Sequence, residues 1–396
     1  MKRTAQVALA TASVCALATV VAVAPSMAQD KPSTGAPAMT MDKTGLQGAT
    51  MSDDSGTMKR ADKEMGRVIA KLQELGAKRL GSMSVEDTRK GPTPADAVKA
   101  LLKDQGKDPD ALMAEMKIDK KDLSYPTAGG SQPIRIYTPQ GQAPQGGWPV
   151  IVYYHGGGWV IADLDTYEAS AMSLAKKTNA IVASVEYRHA PEHKFPAAHD
   201  DAFAAYKWVI ENAGQFTGNP KRLAVAGESA GGNLATNVAM KARDEKVEAP
   251  LHMLLVYPVA GTDMTTASYK KNENAIPLGK GGMEWFAKNV IKSEQDLKDP
   301  RLNLVEADLK NLPDATVITA EIDPLMSEGK TLADKLKAAG SKVTYQHYEG
   351  ATHEFFGMAA VVPEAAKAQD LAARELKDAL APTSTGSTGG RTPATK

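Results

Sequence analysis

The 396-residue sequence has a single cysteine, Cys15, set in an apolar N-terminal run. That scarcity excludes a disulfide framework and a cysteine-based zinc site, and it removes a cysteine nucleophile from any chain processed beyond the run. Neither charge is in excess, with 47 Lys plus Arg against 47 Asp plus Glu, which fits neither a basic nucleic-acid binder nor an acidic tail protein. Internal repeats are lacking, and so is an extended apolar segment after the N-terminus. What remains, 42% hydrophobic and 24% charged, is the balance of a soluble globular protein with ample material for a core. Any chemistry has to use side chains other than thiols.

The N-terminus reads as an export signal. Lys2 and Arg3 precede a weakly apolar stretch from Ala5 to Ala24, and Ser26-Met27-Ala28 places small residues where a signal peptidase reads. Cleavage after Ala28 is expected, with delivery to the periplasm or the medium and no stable membrane anchor, because Ala, Thr and Ser make the stretch a poor span. Residues 29–57 hold hardly a branched apolar side chain and read as a flexible leader. Residues 382–396 are Thr, Ser, Gly and Pro without an apolar anchor and read as a disordered tail.

Between these ends, Met65, Val68, Ile69, Leu72 and Leu75 recur at helical spacing, and Ala97, Val98, Leu101 and Leu102 repeat the stripe after Pro94. From Ile134 short β-rich runs alternate with helical ones, the signature of an α/β fold with a mostly parallel sheet. Strands are expected at Val150 to Tyr154, Ala180 to Glu186, Arg222 to Gly227, His252 to Tyr257, Ala315 to Ala320 and Val343 to Tyr348. Helices are expected at Asp200 to Asn212, Gly231 to Asp244, Leu325 to Ala339 and Glu364 to Leu380.

Gly227-Glu228-Ser229-Ala230-Gly231-Gly232 lies between one such strand and a helix. G-x-S-x-G in that setting is a nucleophile elbow, whose glycines let the serine occupy a turn too tight for flanking side chains. Upstream, His155-Gly156-Gly157-Gly158-Trp159 follows a strand directly, and successive glycines there leave backbone N–H groups free to hold an oxyanion. A phosphate cradle is the rival reading, but no Gly-Lys-Ser/Thr ending or G-x-G-x-x-G frame is present. A serine hydroxyl needs a base, and the base needs a carboxylate to orient it. In this fold the order is serine, acid, histidine, and only His252, His347 and His353 follow Ser229. His252 and His347 sit within strand candidates, which leaves His353 in a loop just beyond the last strand. Asp323, before Pro324 and a helix, is the preferred acid, and Glu321 is the alternative.

With these pieces in order, the chain from about Met58 to Leu380 resembles the hormone-sensitive-lipase-like family of α/β-hydrolases. The matching segments are the His155 to Trp159 loop, Tyr187-Arg188-His189-Ala190-Pro191-Glu192, Phe195-Pro196-Ala197-Ala198, the elbow, and Asp323-Pro324 with His353. The resemblance implies an α/β-hydrolase domain over residues 58–381, with a helical cap drawn from about 58–115 and 262–295. It implies oxyanion donors at the N–H groups of Gly157, Gly158 and Ala230, a loop-shaping role for His155, and packing or ion-pair roles for Arg188 and Glu192. Trp159, Met283, Trp285 and Phe286 are candidates for the substrate pocket. Two departures stand out: Glu228 replaces the usual Asp, read as structural, and Glu354 replaces the usual Gly, read as facing solvent. The expected activity is a serine carboxylesterase on short to medium acyl esters that requires no metal or cofactor. A peptidase or amidase with the same triad and a non-catalytic binding protein are the alternatives. A small-molecule ester is the expected partner, nucleic acid is not, and a homodimer is compatible with the sequence.

Overall fold

The computed structural model describes residues 56–382. The expected signal peptide, almost all of the leader and all of the tail but Pro382 lie outside the described residues. Helix α1 (Thr57–Arg60) already begins within the stretch read as leader, and Thr57 is buried there, its hydroxyl accepting the Ile276 N–H at 3.3 Å.

Eight strands form one sheet in the order β1-β2-β4-β3-β5-β6-β7-β8. They are β1 (Ile118–Thr127), β2 (Gly130–Pro139), β3 (Trp148–Tyr154), β4 (Ile181–Val185), β5 (Gly218–Glu228), β6 (His252–Val256), β7 (Asp314–Ile322) and β8 (Val343–Thr352). β1 and β2 form a hairpin, β2 meets β4 antiparallel, and every pairing from β4 to β8 is parallel. Strands β3 to β7 are apolar on both faces over their central residues, as a sheet covered by helices on two sides requires, whereas edge strand β8 is only partly buried. Along β3, Val150, Val152 and Tyr154 join one core while Ile151 and Tyr153 join the other, and Leu223 and Val225 alternate with Ala224 and Ala226 along β5.

Helices α7 (Ala197–Asn212), α8 (Ala230–Glu245) and α11 (Met326–Ala338) contribute to the first core through Phe203, Tyr206, Leu234, Val238, Leu332 and Leu336. Helices α6 (Glu168–Thr178) and α12 (Pro363–Ala379) contribute to the second through Leu174, Ala368 and Leu376. That second core also receives α2 (Lys63–Glu74) and α4 (Pro94–Asp104). In α2, Met65, Val68, Ile69 and Leu72 are all buried, each worth about 1.5–3 kcal/mol against exposure. α4 starts at a capping box in which Thr93 and Asp96 satisfy each other's backbone N–H groups, with Pro94 in the first turn. The short helices α3 (Val85–Lys90), α5 (Pro109–Glu115), α9 (Ala267–Lys271) and α10 (Lys280–Val290) complete the set.

Candidate active site

Four strands deliver the motif residues to one edge of the sheet. β5 ends at Glu228 and α8 starts at Ala230, so Ser229 is the whole connection, held at φ 55°, ψ −118°. This is a costly conformation for a residue with a side chain. The surrounding packing imposes it: a Cβ on Gly227 would run into the Gly231 carbonyl, and one on Gly231 would run into the Tyr154 carbonyl of β3. Both flanking glycines of the elbow are therefore dictated by close approach of backbone.

β7 and β8 finish side by side. Ala320 pairs with Tyr348 and Ile322 with Thr352, so β8 accommodates two extra residues and both strands still end at the same level. The next residues, Asp323 and His353, consequently emerge as neighbours. His353 Nδ1 lies 2.7 Å from Asp323 Oδ2, and His353 Nε2 lies 3.0 Å from Ser229 Oγ. Asp323 Oδ1 accepts the Leu325 N–H at 2.8 Å, which fixes the carboxylate plane. All three side chains are buried. Burial works against a charged His353 ring, but the Asp323 carboxylate and then Glu354 outweigh it, and its pKa is raised.

The alternatives lie elsewhere. Glu321 is part of β7, paired with Lys271 at 3.0 Å and accepting the Gly350 N–H, while His347 Nδ1 meets Thr319 Oγ1 at 3.1 Å. His252 Nε2 meets Thr316 Oγ1 within the sheet.

The loop after β3 passes beside Ser229. Gly157 has φ 96°, and a Cβ there would strike the Ile161 carbonyl, so this turn requires glycine. Gly157, Gly158 and Trp159 share a cavity of about 280 Å³ with Ser229 and His353. Ala230 N is the first amide of α8, immediately after the serine. Loop anchoring is extensive: Tyr187 Oη donates to the carbonyls of His155 and Gly156 at 2.9 and 3.1 Å. Arg188 makes a two-point pair with Asp201, and Glu192 makes one with Arg89, whose guanidinium also reaches the carbonyls of Val160 and Ala190.

The cavity walls are mostly apolar. Leu72 and Leu80 come from the N-terminal region, and Leu278, Met283 and Phe286 come from the segment before β7. Trp285 does not line it: its side chain packs over Gly81 and against Phe286 at 5.2 Å, because consecutive residues of α10 point about 100° apart.

Of the two glutamates, Glu228 fits the structural reading and Glu354 departs from the solvent-facing one. Glu228 is buried and structural, accepting Tyr153 Oη at 2.6 Å and Tyr257 Oη at 2.5 Å, and burial reinforced by Glu354 pushes its pKa up to about 7. Glu354, expected to face solvent, turns inward under Tyr167, whose Oη lies 2.7 Å from both carboxylate oxygens, and its Oε1 stands 3.7 Å from His353 Nε2. Burial raises its pKa although His353 and Tyr167 oppose this. Nothing in the sequence pattern marked Tyr167 or Tyr257, whose ring lies 4.5 Å from that of His353, since each becomes a neighbour of the site only through the fold.

Comparison with known proteins agrees with this architecture. An α/β-hydrolase-fold family description matches residues 151–357. Carboxylesterase NlhH of Mycobacterium tuberculosis is 38% identical over 295 residues, covering 73% of this chain and 91% of that protein. Ethyl acetate hydrolase of Pseudomonas putida is 33% identical over 269 residues, covering 67% and 82%. The solved hyperthermophilic esterase of Pyrobaculum calidifontis superposes with a TM-score of 0.69 at 35% identity, covering 78% of this chain and 95% of that one. With strand order, elbow and overall similarity in agreement, the chain belongs to the hormone-sensitive-lipase-like branch of the α/β-hydrolase family.

Proposed function

We propose that the protein is an exported serine carboxylesterase acting on short- to medium-chain acyl esters. The observation that carries this reading is the continuous hydrogen-bonded run Ser229–His353–Asp323 on the wall of a mostly apolar cavity. Ser229 Oγ attacks the ester carbonyl carbon as His353 Nε2 takes the hydroxyl proton, and Asp323 steadies the resulting imidazolium. The N–H groups of Gly157, Gly158 and Ala230 hold the tetrahedral oxyanion, each such donor typically worth about 2.7–4 kcal/mol of barrier. Collapse breaks the ester C–O bond, and the leaving alcohol takes the proton from Nε2. Water then attacks the acyl-Ser229 with Nε2 again as base, releasing the carboxylic acid and restoring the hydroxyl.

Cavity size supports the acyl range. About 280 Å³ lies at the lower edge of the ~300–1,000 Å³ common for small-molecule sites. Export rests on Lys2, Arg3, the apolar run and Ser26-Met27-Ala28.

The test is hydrolysis of a graded ester series, with matched amides, by wild type and Ser229→Ala. Wild-type turnover that peaks on short acyl chains and falls by at least about 10⁴-fold in the variant is expected. Equal activity in both proteins, or a wild type inert on every ester, sinks the reading; faster turnover of the amides redirects it to an amidase. Mass analysis of protein recovered outside the cytoplasm should find Gln29 as the first residue.

A further inference from the structure

The carboxyl ends of β3 and β4 assemble three side chains that ester chemistry does not use. His155 follows β3, and Glu186 and His189 follow β4. Glu186 Oε1 lies 3.3 Å from His155 Nε2 and 3.1 Å from His189 Nε2, and the three atoms fall within 4.8 Å of one another. His155 is fully buried, and the side chains of Glu186 and His189 are only 16% and 18% exposed.

The tautomer of His155 follows from its partners. Nδ1 lies 2.8 Å from the Gly156 carbonyl oxygen, which can only accept, so Nδ1 carries a proton. In the neutral ring Nε2 then presents a lone pair to the Glu186 carboxylate. Tyr187, stacked on the imidazole at 4.4 Å and 14°, prevents the ring from turning away. The second ring adds an independent sign. His189 Nε2 is a buried nitrogen without a hydrogen-bond partner among the described residues, within ion-pair distance of Glu186 but misaligned for a hydrogen bond. Two imidazole nitrogens thus converge on one carboxylate oxygen, and a cation between them satisfies all three at once.

We propose that His155, Glu186 and His189 form a binding site for a divalent transition-metal ion of the borderline class represented by Zn²⁺, distinct from the serine centre. Two imidazoles and a carboxylate are an established donor set for such ions, with bonds of about 2.0–2.2 Å. Tetrahedral bonds of that length set neighbouring donor atoms about 3.3–3.6 Å apart, close to both separations from Glu186. The partial exposure of Glu186 and His189 leaves an approach for the ion and a fourth position for water. The role is structural: His155 starts the loop that runs to Gly157 and Gly158, so an ion here pins the base of that loop.

The experiment uses untagged full-length protein, stripped with chelator and titrated with Zn²⁺ by calorimetry. Co²⁺ serves as a spectroscopic substitute, and thermal unfolding is followed in parallel. One equivalent bound with Kd at or below about 10 μM, visible Co²⁺ bands and a raised Tm are expected. His189→Leu should weaken binding by at least about 100-fold, and Glu186→Gln should weaken it similarly. Absence of binding by wild type, or binding that is unchanged in both variants, overturns the site. So does a pH-dependent unfolding step that both variants remove while Zn²⁺ has no effect, because the cluster would then be held by a proton. The readout is binding, so failure here leaves the esterase reading untouched.

Discussion

Tyr167 Oη stands 2.7 Å from both carboxylate oxygens of Glu354, which is thereby held 3.7 Å from His353 Nε2, the nitrogen that faces Ser229. A negative charge at that distance favours the imidazolium. Replacing Glu354 with Gln keeps the shape and removes the charge, so the pKa of His353 falls. The acid limb of the kcat/KM profile should move to lower pH by about one unit, with the plateau rate nearly unchanged. An acid limb that stays in place would show that Glu354 is protonated when the enzyme turns over. Glu354→Gly should make the same shift and keep the fold, since Glu354 has φ 72°, a region in which glycine carries no penalty.

Glu228 gives a stability prediction of defined sign. Burial, with Glu354 adding to it, pushes this carboxyl up to about 7, above its ordinary value of 4.5. A folded-state pKa above the unfolded one means that folding takes up a proton, so stability falls as pH rises from about 4.5 to about 7 and levels off above. Glu228→Gln should flatten this pH dependence. The drop in Tm between pH 5 and pH 8 should be smaller in the variant than in wild type. An equal drop in the two proteins would assign it to other groups, of which Glu328, buried and raised to about 8, is the first to test.

The candidate site was legible because glycine and chain order carry it. Gly227 and Gly231 are forced by backbone contact, and a serine followed by an acid loop and a histidine loop leaves few choices. Strands β3 to β7 were legible because both of their faces are apolar. β1 was not: of its ten residues only Ile118 and Tyr125 are buried, so an edge strand of mostly charged and polar residues offers no alternation to read. Helix α6 was missed for the opposite reason, since Ser170, Ser173 and Thr178 are buried beside Ala171 and Leu174 and blur its stripe. The inward turn of Glu354 depends on Tyr167, 187 residues earlier in the chain, and no local pattern encodes such a meeting.

Asp323 should act on rate more than on binding. Asp323→Asn keeps an acceptor for the Leu325 N–H but removes the charge opposite His353 Nδ1 and allows the wrong ring tautomer. A loss of about 10³–10⁴ in kcat with KM within a few-fold is expected. Glu321→Gln, whose carboxylate pairs with Lys271, should lose less than about tenfold. The reverse ranking would transfer the role of the acid to Glu321.

Phe286 sets the depth of the cavity where it meets the glycine loop. Its ring is packed so tightly over Gly158 that a Cβ there would collide with it, and its side chain is buried. Phe286→Leu removes ring volume without leaving a polar group unsatisfied, at a cost in stability of about 1–2 kcal/mol. The freed space should admit longer chains, since each methylene accommodated in an apolar pocket is worth about 1–3 kcal/mol in specificity. The acyl-length optimum, read from kcat/KM along the ester series, should lengthen by about two carbons. Trp285→Leu is the matched control, because Trp285 packs outside the cavity over Gly81. A shift caused by Trp285→Leu and absent from Phe286→Leu would mean that the acyl chain leaves the cavity on the Gly81 side, and the assignment of Phe286 as the wall would fall.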